Sequence, residues 1–313
     1  MSTIEVDAPG LLTTVQDLGR EGYGPMGISP SGAADAVSLR VGNRLVGNAE
    51  GAAALEMTLV GGAFLFPQGA VIALSGSDFG ATLDGAAVGL WASVQVQPGQ
   101  TLRLGATRSG ARCYLCVAGG IAVEPLLGSA STHVLSGLGG FEGRALRRGD
   151  VLRIGPGAGP FQKRGIDAKA LERLSPRKVL RVTAGPQSDW FPEPSQHAFY
   201  GGAYRVAEES NRMGLRLDGA PIAAESGREM ITEGVPLGAV QVPAGGQPII
   251  LFVEQQTTGG YPKIANVICA DLHSVGQLRP RDEIRFERIE FETARSLLRE
   301  QETLLASEKL IRE

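Results

Sequence analysis

The chain has 313 residues, 43% of them apolar, which is enough for a sizeable core, and a formal net charge of −3. It contains no basic block, which argues against a nucleic-acid partner, and no apolar run approaches the about 20 residues needed to span a bilayer. The 44 glycines and 18 prolines favour many short elements joined by turns over long helices. The length suggests two domains. The start, Met1-Ser2-Thr3-Ile4-Glu5-Val6-Asp7, is acidic and lacks a signal-peptide profile, so a cytoplasmic location is expected.

Residues 4–8 read as a first strand. A Gly-rich loop through Gly22, Gly24 and Gly27 follows, and Ser29-Pro30-Ser31-Gly32 leads on to Asp35. Val37, Val41 and Leu45 recur at i, i+4, i+8, which predicts a helix ending near Val46 with Gly47-Asn48 as its stop. Asp35 falls at its start, where a carboxylate complements the positive end of a helix. Asp17, Arg20, Asp35 and Arg44 gather around the Gly-rich loop; their plainer reading is a solvated surface. Residues 56–66, 71–74, 81–83, 87–96 and 101–104 are short strands with Gly or Pro between them, the spacing of a sandwich or barrel. Residues 111–121 add a strand carrying Cys113 and Cys116. Three apart on a strand, the two thiols point to opposite faces, so they read as structural rather than as a redox or zinc pair. His133, His197 and His273 are scattered, and no metal site is expected. Ser136-Gly137-Leu138-Gly139-Gly140 lacks the spacing of a phosphate-binding loop, although glycine amides there suit an anion nest.

An internal repeat follows. Leu146-Arg147-Arg148-Gly149-Asp150-Val151-Leu152-Arg153-Ile154 and Leu278-Arg279-Pro280-Arg281-Asp282-Glu283-Ile284-Arg285-Phe286 share the pattern L-R-x-x-D-x-aliphatic-R-apolar. Residues 4–9 loosely match residues 180–185, and each half carries a strand ending in a glycine pair, Gly119-Gly120 and Gly259-Gly260. Two copies of one β domain are expected. The boundaries are 1–155 for the first domain, 156–178 for a linker, 179–290 for the second domain and 291–313 for a terminal amphipathic helix.

The stretch Gln255-Gln256-Thr257-Thr258-Gly259-Gly260-Tyr261-Pro262-Lys263 lies between two apolar, strand-like runs. It packs two amides, two hydroxyls, a phenol and an amine around a glycine pair that lets backbone N–H groups approach a ligand. Such a set suits a small polar or anionic molecule bearing carbonyl and carboxylate oxygens. The plainer reading is a hairpin with exposed polar residues, in which Lys263 points to solvent.

Several segments together resemble one family: Thr14-Val15-Gln16-Asp17-Leu18-Gly19-Arg20, Ser31-Gly32-Ala33-Ala34-Asp35, Asn43-Arg44-Leu45-Val46-Gly47-Asn48, Gly185-Pro186-Gln187, Asn211-Arg212-Met213-Gly214 and Gln256-Thr257-Thr258-Gly259-Gly260-Tyr261-Pro262. They look like the allophanate hydrolase subunit 2 family, also described as biotin-dependent carboxyltransferases, which contains the C subunit of bacterial 5-oxoprolinase. The resemblance implies a mainly β fold of two cyclophilin-like β-barrel domains with few helices. It implies two kinds of 5-oxoprolinase partner, one B-like (allophanate hydrolase subunit 1) and one of the A type. It also implies ATP with Mg2+ acting at the level of the complex, opening the lactam of 5-oxo-L-proline. One alternative is a biotin-dependent carboxyltransferase acting on urea or a similar amide, with biotin carried by another protein. Another is a non-catalytic regulator of a kinase-inhibitor-like partner. On this reading Lys263, Tyr261 and Thr258 are the catalytic candidates. Gln256, Thr257, Gly259, Gly260, Arg212, Gln241, Asp17, Arg20, Ser31 and Asp35 are candidate substrate contacts. Arg212 and Gln241 have plainer readings as a surface ion pair and a strand hydrogen bond.

Overall fold

The computed structural model describes residues 2–157, 159, 161–225 and 230–313. Contacts divide the chain into two units. One comprises Met1–Arg20, Ser31–Leu174 and Leu304–Glu313, the other Glu21–Pro30 and Ser175–Thr303. Both are mainly β, as the punctuation by Gly and Pro leads one to expect.

In the first unit the strands form a six-stranded and a five-stranded sheet. The six-stranded sheet centres on Thr3–Ala8 and Ala63–Phe66, and the five-stranded one on Arg112–Val117, flanked by Ala54–Thr58 and Ala70–Gly76. Every residue of Arg112–Val117 is buried. Cys113, Leu115 and Val117 join a core with Ile4, Val6, Phe64, Phe66 and Leu102. Tyr114 and Cys116 face the other way, toward Val37, Val41 and Leu45 of the helix Ala36–Leu45. The two thiols therefore sit on opposite faces, as alternation along a strand requires. Burial pushes both far above the usual thiol range, so neither carries thiolate. The helix starts where expected. Asp35 is its N-cap, its Oδ1 accepting the Ser38 N–H (2.9 Å) and its Oδ2 the Ser38 hydroxyl (2.5 Å).

In the second unit seven strands close a barrel in the order Val179–Ala184, Lys263–Val267, Ala239–Gln241, Ile249–Leu251, Gly214–Asp218, Tyr204–Val206, Glu283–Arg288. Its interior includes Leu180, Val182, Leu215, Leu217, Val240, Ile250 and Ile284, all buried. Phe199 stacks on Phe286 with ring centroids 4.5 Å apart.

The repeated closing segments adopt one local geometry. Asp150 Oδ2 accepts the Arg147 N–H (2.7 Å), and Asp282 Oδ2 accepts the Arg279 N–H (2.9 Å). The residue before each Asp has positive φ, 89° at Gly149 and 71° at Arg281. Each turn also exchanges backbone hydrogen bonds with a valine, Val6 in one case and Val206 in the other. The likeness of the two starts does not carry the same meaning. Thr3–Ala8 runs antiparallel to its closing strand, whereas Val179–Ala184 runs parallel to its own. The glycine pairs differ too: Gly119 and Gly120 both have positive φ, and Gly259 lies within a strand, Thr258–Gly259.

Part of the stretch expected as a linker, 156–178, is built into the first unit; residues 158 and 160 lie outside the described residues. Gly165–Ile166 pairs with Ile311–Arg312, and the helix Ala168–Arg173 buries Ala170. The terminal helix is Phe291–Ala306, shorter than 291–313, because Ser307 caps a following turn, Glu308–Leu310, before that last strand. Sequence periodicity overlooked both short strands, since two residues each cannot show an alternation.

Arg281 holds a left-handed backbone conformation that costs a non-glycine residue about 1–2 kcal/mol. A glycine there relieves that cost and adds about 0.5–1 kcal/mol of unfolded-chain entropy. Arg281→Gly is therefore expected to be neutral or stabilising by about 0.5 kcal/mol, and Arg281→Val destabilising by more than about 1 kcal/mol. Urea midpoints of the two variants measure this; a less stable glycine variant contradicts it.

Candidate functional site

The candidate residues fall into two groups. Asp17, Arg20, Ser31 and Asp35 lie in the first unit, each engaged by the protein itself. Asp17 accepts from the N–H groups of Gly19 (2.8 Å) and Ala130 (2.7 Å) and from the hydroxyls of Ser129 (2.7 Å) and Ser131 (2.5 Å). Arg20 donates to the Ser131 carbonyl and Ser31 to the Thr132 carbonyl (2.9 Å). These contacts pin residues 129–132 in place, and Asp35 caps its helix. Asp17 and Asp35, candidate substrate contacts whose plainer reading is a solvated surface, are thus both tied into the fold.

The other nine lie in the second unit, around one patch of the barrel wall. Leu215, Ile250 and Val240 pair across three strands and are buried in the barrel. Because side chains alternate, the neighbouring row, Arg216, Ile249 and Gln241, lies on the opposite face. Gln241 pairs onward with Lys263, and the register slips between Val240 and Gln241. Such a bulge re-aims the side chains beside it.

A ribbon of two short strands accompanies this row, Glu233–Gly234 paired with Thr258–Gly259. Glycine leaves room there: a Cβ at position 259 would stand 2.5 Å from Gln241 Nε2 and would displace that amide. The ribbon is held at its end by the Val235 N–H donating to the Thr257 carbonyl (3.1 Å) and by Gln255 Nε2 donating to the Val235 carbonyl (2.8 Å).

Lys263 is not exposed. Its side chain is 1% accessible, and its Nζ lies 2.6 Å from Glu233 Oε1. Gln187 completes the arrangement: its Nε2 donates to Glu233 Oε1 (2.9 Å) and its Oε1 accepts the Lys263 N–H (3.2 Å). The ammonium of Lys263, with the Gln187 amide second, holds the Glu233 carboxyl below its ordinary range. Glu233 is half-exposed while Lys263 is buried, so the pair is open to solvent from the carboxylate side. Glu233 carried no signal in the sequence beyond a Thr-Glu-Gly-Val-Pro run. Gln187 stood in the Gly-Pro-Gln motif, with no role attached to it.

Gln241 and Gln256 meet directly. Gln256 Nε2 donates to Gln241 Oε1 (3.3 Å). Gln241 is 1% exposed, and its Nε2 has no hydrogen-bond partner among the described residues. Both amides line a cavity of about 190 Å³ together with Asn211, Met213, Gly214, Arg216, Ile249, Leu251 and Tyr261. That is smaller than the about 300–1,000 Å³ typical of drug-sized ligands and matches a small metabolite. Tyr261 is 47% exposed at this cavity. Thr257, Thr258, Gly260, Lys263 and Arg212 are not among its lining residues.

Arg212 has a different part. Its Nε is 2.5 Å from Glu254 Oε1, both side chains buried, and its carbonyl accepts the Glu254 N–H (2.8 Å). The surface ion pair of the plainer reading is in fact a buried one.

The chain belongs to the carboxyltransferase family: the carboxyltransferase domain, subdomains A and B, matches residues 26–288. It is 40% identical over 291 residues to the C subunit of 5-oxoprolinase from Escherichia coli (strain K12), covering 93% of each chain. It is 36% identical to the urea amidolyase of Saccharomyces cerevisiae over 98% of this chain and 18% of that protein. Among solved structures, that of the K. lactis urea amidolyase superposes with a TM-score of 0.89 and 34% identity, over 97% of this chain and 20% of that one. No helix among the described residues is long and apolar enough to cross a membrane, and they hold no metal-ligating cluster of three or more His, Cys, Asp or Glu.

Two measurements probe these contacts. Arg212→Ala strands a buried carboxylate and is expected to cost about 3–5 kcal/mol, most of it recovered when Glu254→Leu accompanies Arg212→Met; chemical denaturation of the single and double variants reads this directly. A carboxyl depressed in the folded state adds stability above its unfolded value and loses it as pH falls through the folded one. The Glu233 contribution is thus complete above the ordinary value of 4.5 and fades below it. Lys263→Met is expected to shift thermal stability least at acid pH and most near neutrality; an unchanged difference across that range speaks against the pair.

Proposed function

We propose that the chain is the C subunit of an ATP-dependent 5-oxoprolinase, converting 5-oxo-L-proline to L-glutamate together with B-like and A-type partners. The observation that carries this reading is the 40% identity to a protein of that name over 93% of both chains. The geometry supports it: a metabolite-sized cavity holds a buried amide N–H without a partner, suited to a lactam carbonyl.

A lactam resists water because its nitrogen lone pair is delocalised. Transfer of the γ-phosphoryl group from ATP to the lactam oxygen, with release of ADP, makes the ring carbon electrophilic. Water then adds at that carbon and the C–N bond breaks with a proton going to nitrogen, which leaves an open-chain acyl phosphate; a second water hydrolyses it to the side-chain carboxylate and inorganic phosphate. ATP and Mg2+ belong to the complex. In this chain, Gln241 and Gln256 hold the carbonyl and Tyr261 orients the ring at the cavity. The Thr258 and Gly259 ribbon keeps Gln241 in place. Lys263, beside Gln241 in the barrel wall, supplies positive charge near the developing oxyanion, balanced by Glu233 until charge forms.

A second reading, transfer of a carboxyl group from biotin on another protein to urea, is favoured by the family match and by the likeness to urea amidolyase. The assay that separates them uses the complex purified with its partner subunits. Glutamate release requiring ATP and 5-oxoproline, absent from the isolated chain and slowed about a hundredfold or more by Lys263→Ala, is the expected result. Lys263→Met controls for packing. Turnover of urea with carboxybiotin in its place overturns the first reading, and consumption of neither substrate points to a regulatory role.

A further inference from the structure

We propose that Arg216 is the carboxylate anchor of this site, so that the cavity reads a lactam carbonyl at Gln241 and a carboxylate at Arg216 in one molecule. The proposal rests on the 5-oxoprolinase reading and sharpens it.

Three observations lead there. Lys263, the cation the sequence offers for a substrate carboxylate, already has a carboxylate 2.6 Å away and does not line the cavity. Arg216 does line it, is exposed, and makes no ion pair or side-chain hydrogen bond among the described residues. Its backbone is fixed all the same: its N–H donates to Ser210 Oγ (3.1 Å), and its carbonyl accepts the Ala207 N–H (2.9 Å). A guanidinium on a fixed strand with no internal partner is available for bidentate recognition of a planar anion.

The second half of the reading comes from Gln241. An amide can present either its oxygen or its nitrogen to a ligand. Gln256 already donates to the Gln241 oxygen, while the Gln241 Nε2 is buried and has no hydrogen-bond partner among the described residues, so this amide lacks an acceptor more than a donor. The buried amide therefore favours an acceptor, such as a carbonyl, and disfavours a donor, which would leave two N–H groups opposed. The register places Arg216 and Gln241 in one row, each paired with Ile249. Their backbones are thus two strand spacings apart, about 10 Å. Both side chains bridge that gap around one small ring. Met213, Ile249 and Leu251 supply an apolar wall for its methylenes. The ligand so described is a small ring with a carbonyl acceptor and a carboxylate. Urea has the carbonyl but offers Arg216 nothing.

The test compares 5-oxo-L-proline with pyrrolidin-2-one, the same lactam without a carboxylate, by calorimetry on the complex with its partner subunits. Arg216→Met is expected to weaken 5-oxoproline binding by roughly 10–100-fold, the range for losing a hydrogen-bonded charge, and to leave pyrrolidin-2-one unchanged. Gln241→Met is expected to weaken both. Added salt should weaken 5-oxoproline alone in the wild type. If Arg216→Met binds 5-oxoproline as the wild type does, or loses both ligands equally, the anchor is wrong while the 5-oxoprolinase reading stands. A wild-type complex that binds no 5-oxoproline overturns both.

Discussion

A buried ammonium must be answered. Removing a lysine from water costs several kcal/mol unless a carboxylate and further hydrogen bonds compensate, and Lys263 is 1% exposed. Glu233 gives that answer, and its position depends on the ribbon. The strand that carries Glu233 is two residues long and is held by Thr258–Gly259. The same ribbon sets Gly259 against the Gln241 amide. Ion pair, ribbon and cavity amide are therefore one mechanical unit, and Gln187 binds it to the barrel by contacting the Glu233 side chain and the Lys263 backbone together.

This arrangement shows what the sequence made legible in this region and how it misread the electrostatics there. The stretch from 255 to 263 was legible because polar groups crowd around a glycine pair between apolar runs, and four of its residues stand near Gln241: Gln256 by a hydrogen bond, Gly259 by close approach, Lys263 as its strand partner and Tyr261 at the same cavity. The sign and availability of charge were not legible. Glu233 lies 30 residues before Lys263 in a run with no periodicity, and only strand pairing brings them together. Arg216 carried no signal in the sequence; it is an exposed residue of an alternating strand, and its place in one row with Gln241 comes from register across two neighbours. Sequence pattern reports which face a residue occupies and says little about what stands beside it.

At the level of fold the same division holds. The mainly β character, the helix after Asp35, the opposed cysteines and the repeated closing turn follow from local chemistry: glycine and proline spacing, capping, alternation, and an aspartate folding back on a backbone N–H. What escaped were the two-residue strands and the different pairing of the two starts, which depend on distant partners. The first unit's polar motif residues are instructive in the same way. Asp17 with four donors around it resembles a ligand site on paper, because the residue types that bind small anions and metals also satisfy loop backbones. Only the list of partners tells the two apart.

On the proposed 5-oxoprolinase reading, the site's chemistry rests on a contrast between two kinds of polar group. The Lys263 and Glu233 charges neutralise each other and stay next to the cavity rather than in it. The group proposed to meet the substrate is the Gln241 amide in the cavity wall, whose oxygen accepts from Gln256. A neutral donor suits a neutral carbonyl: it costs less to desolvate than an ammonium and holds the ground state without trapping it. The charged pair acquires value only when negative charge develops on the substrate oxygen, because only then can the ammonium gain more from the reacting group than it gives up toward Glu233. A site built this way binds its substrate modestly and reserves its electrostatic strength for the transition state.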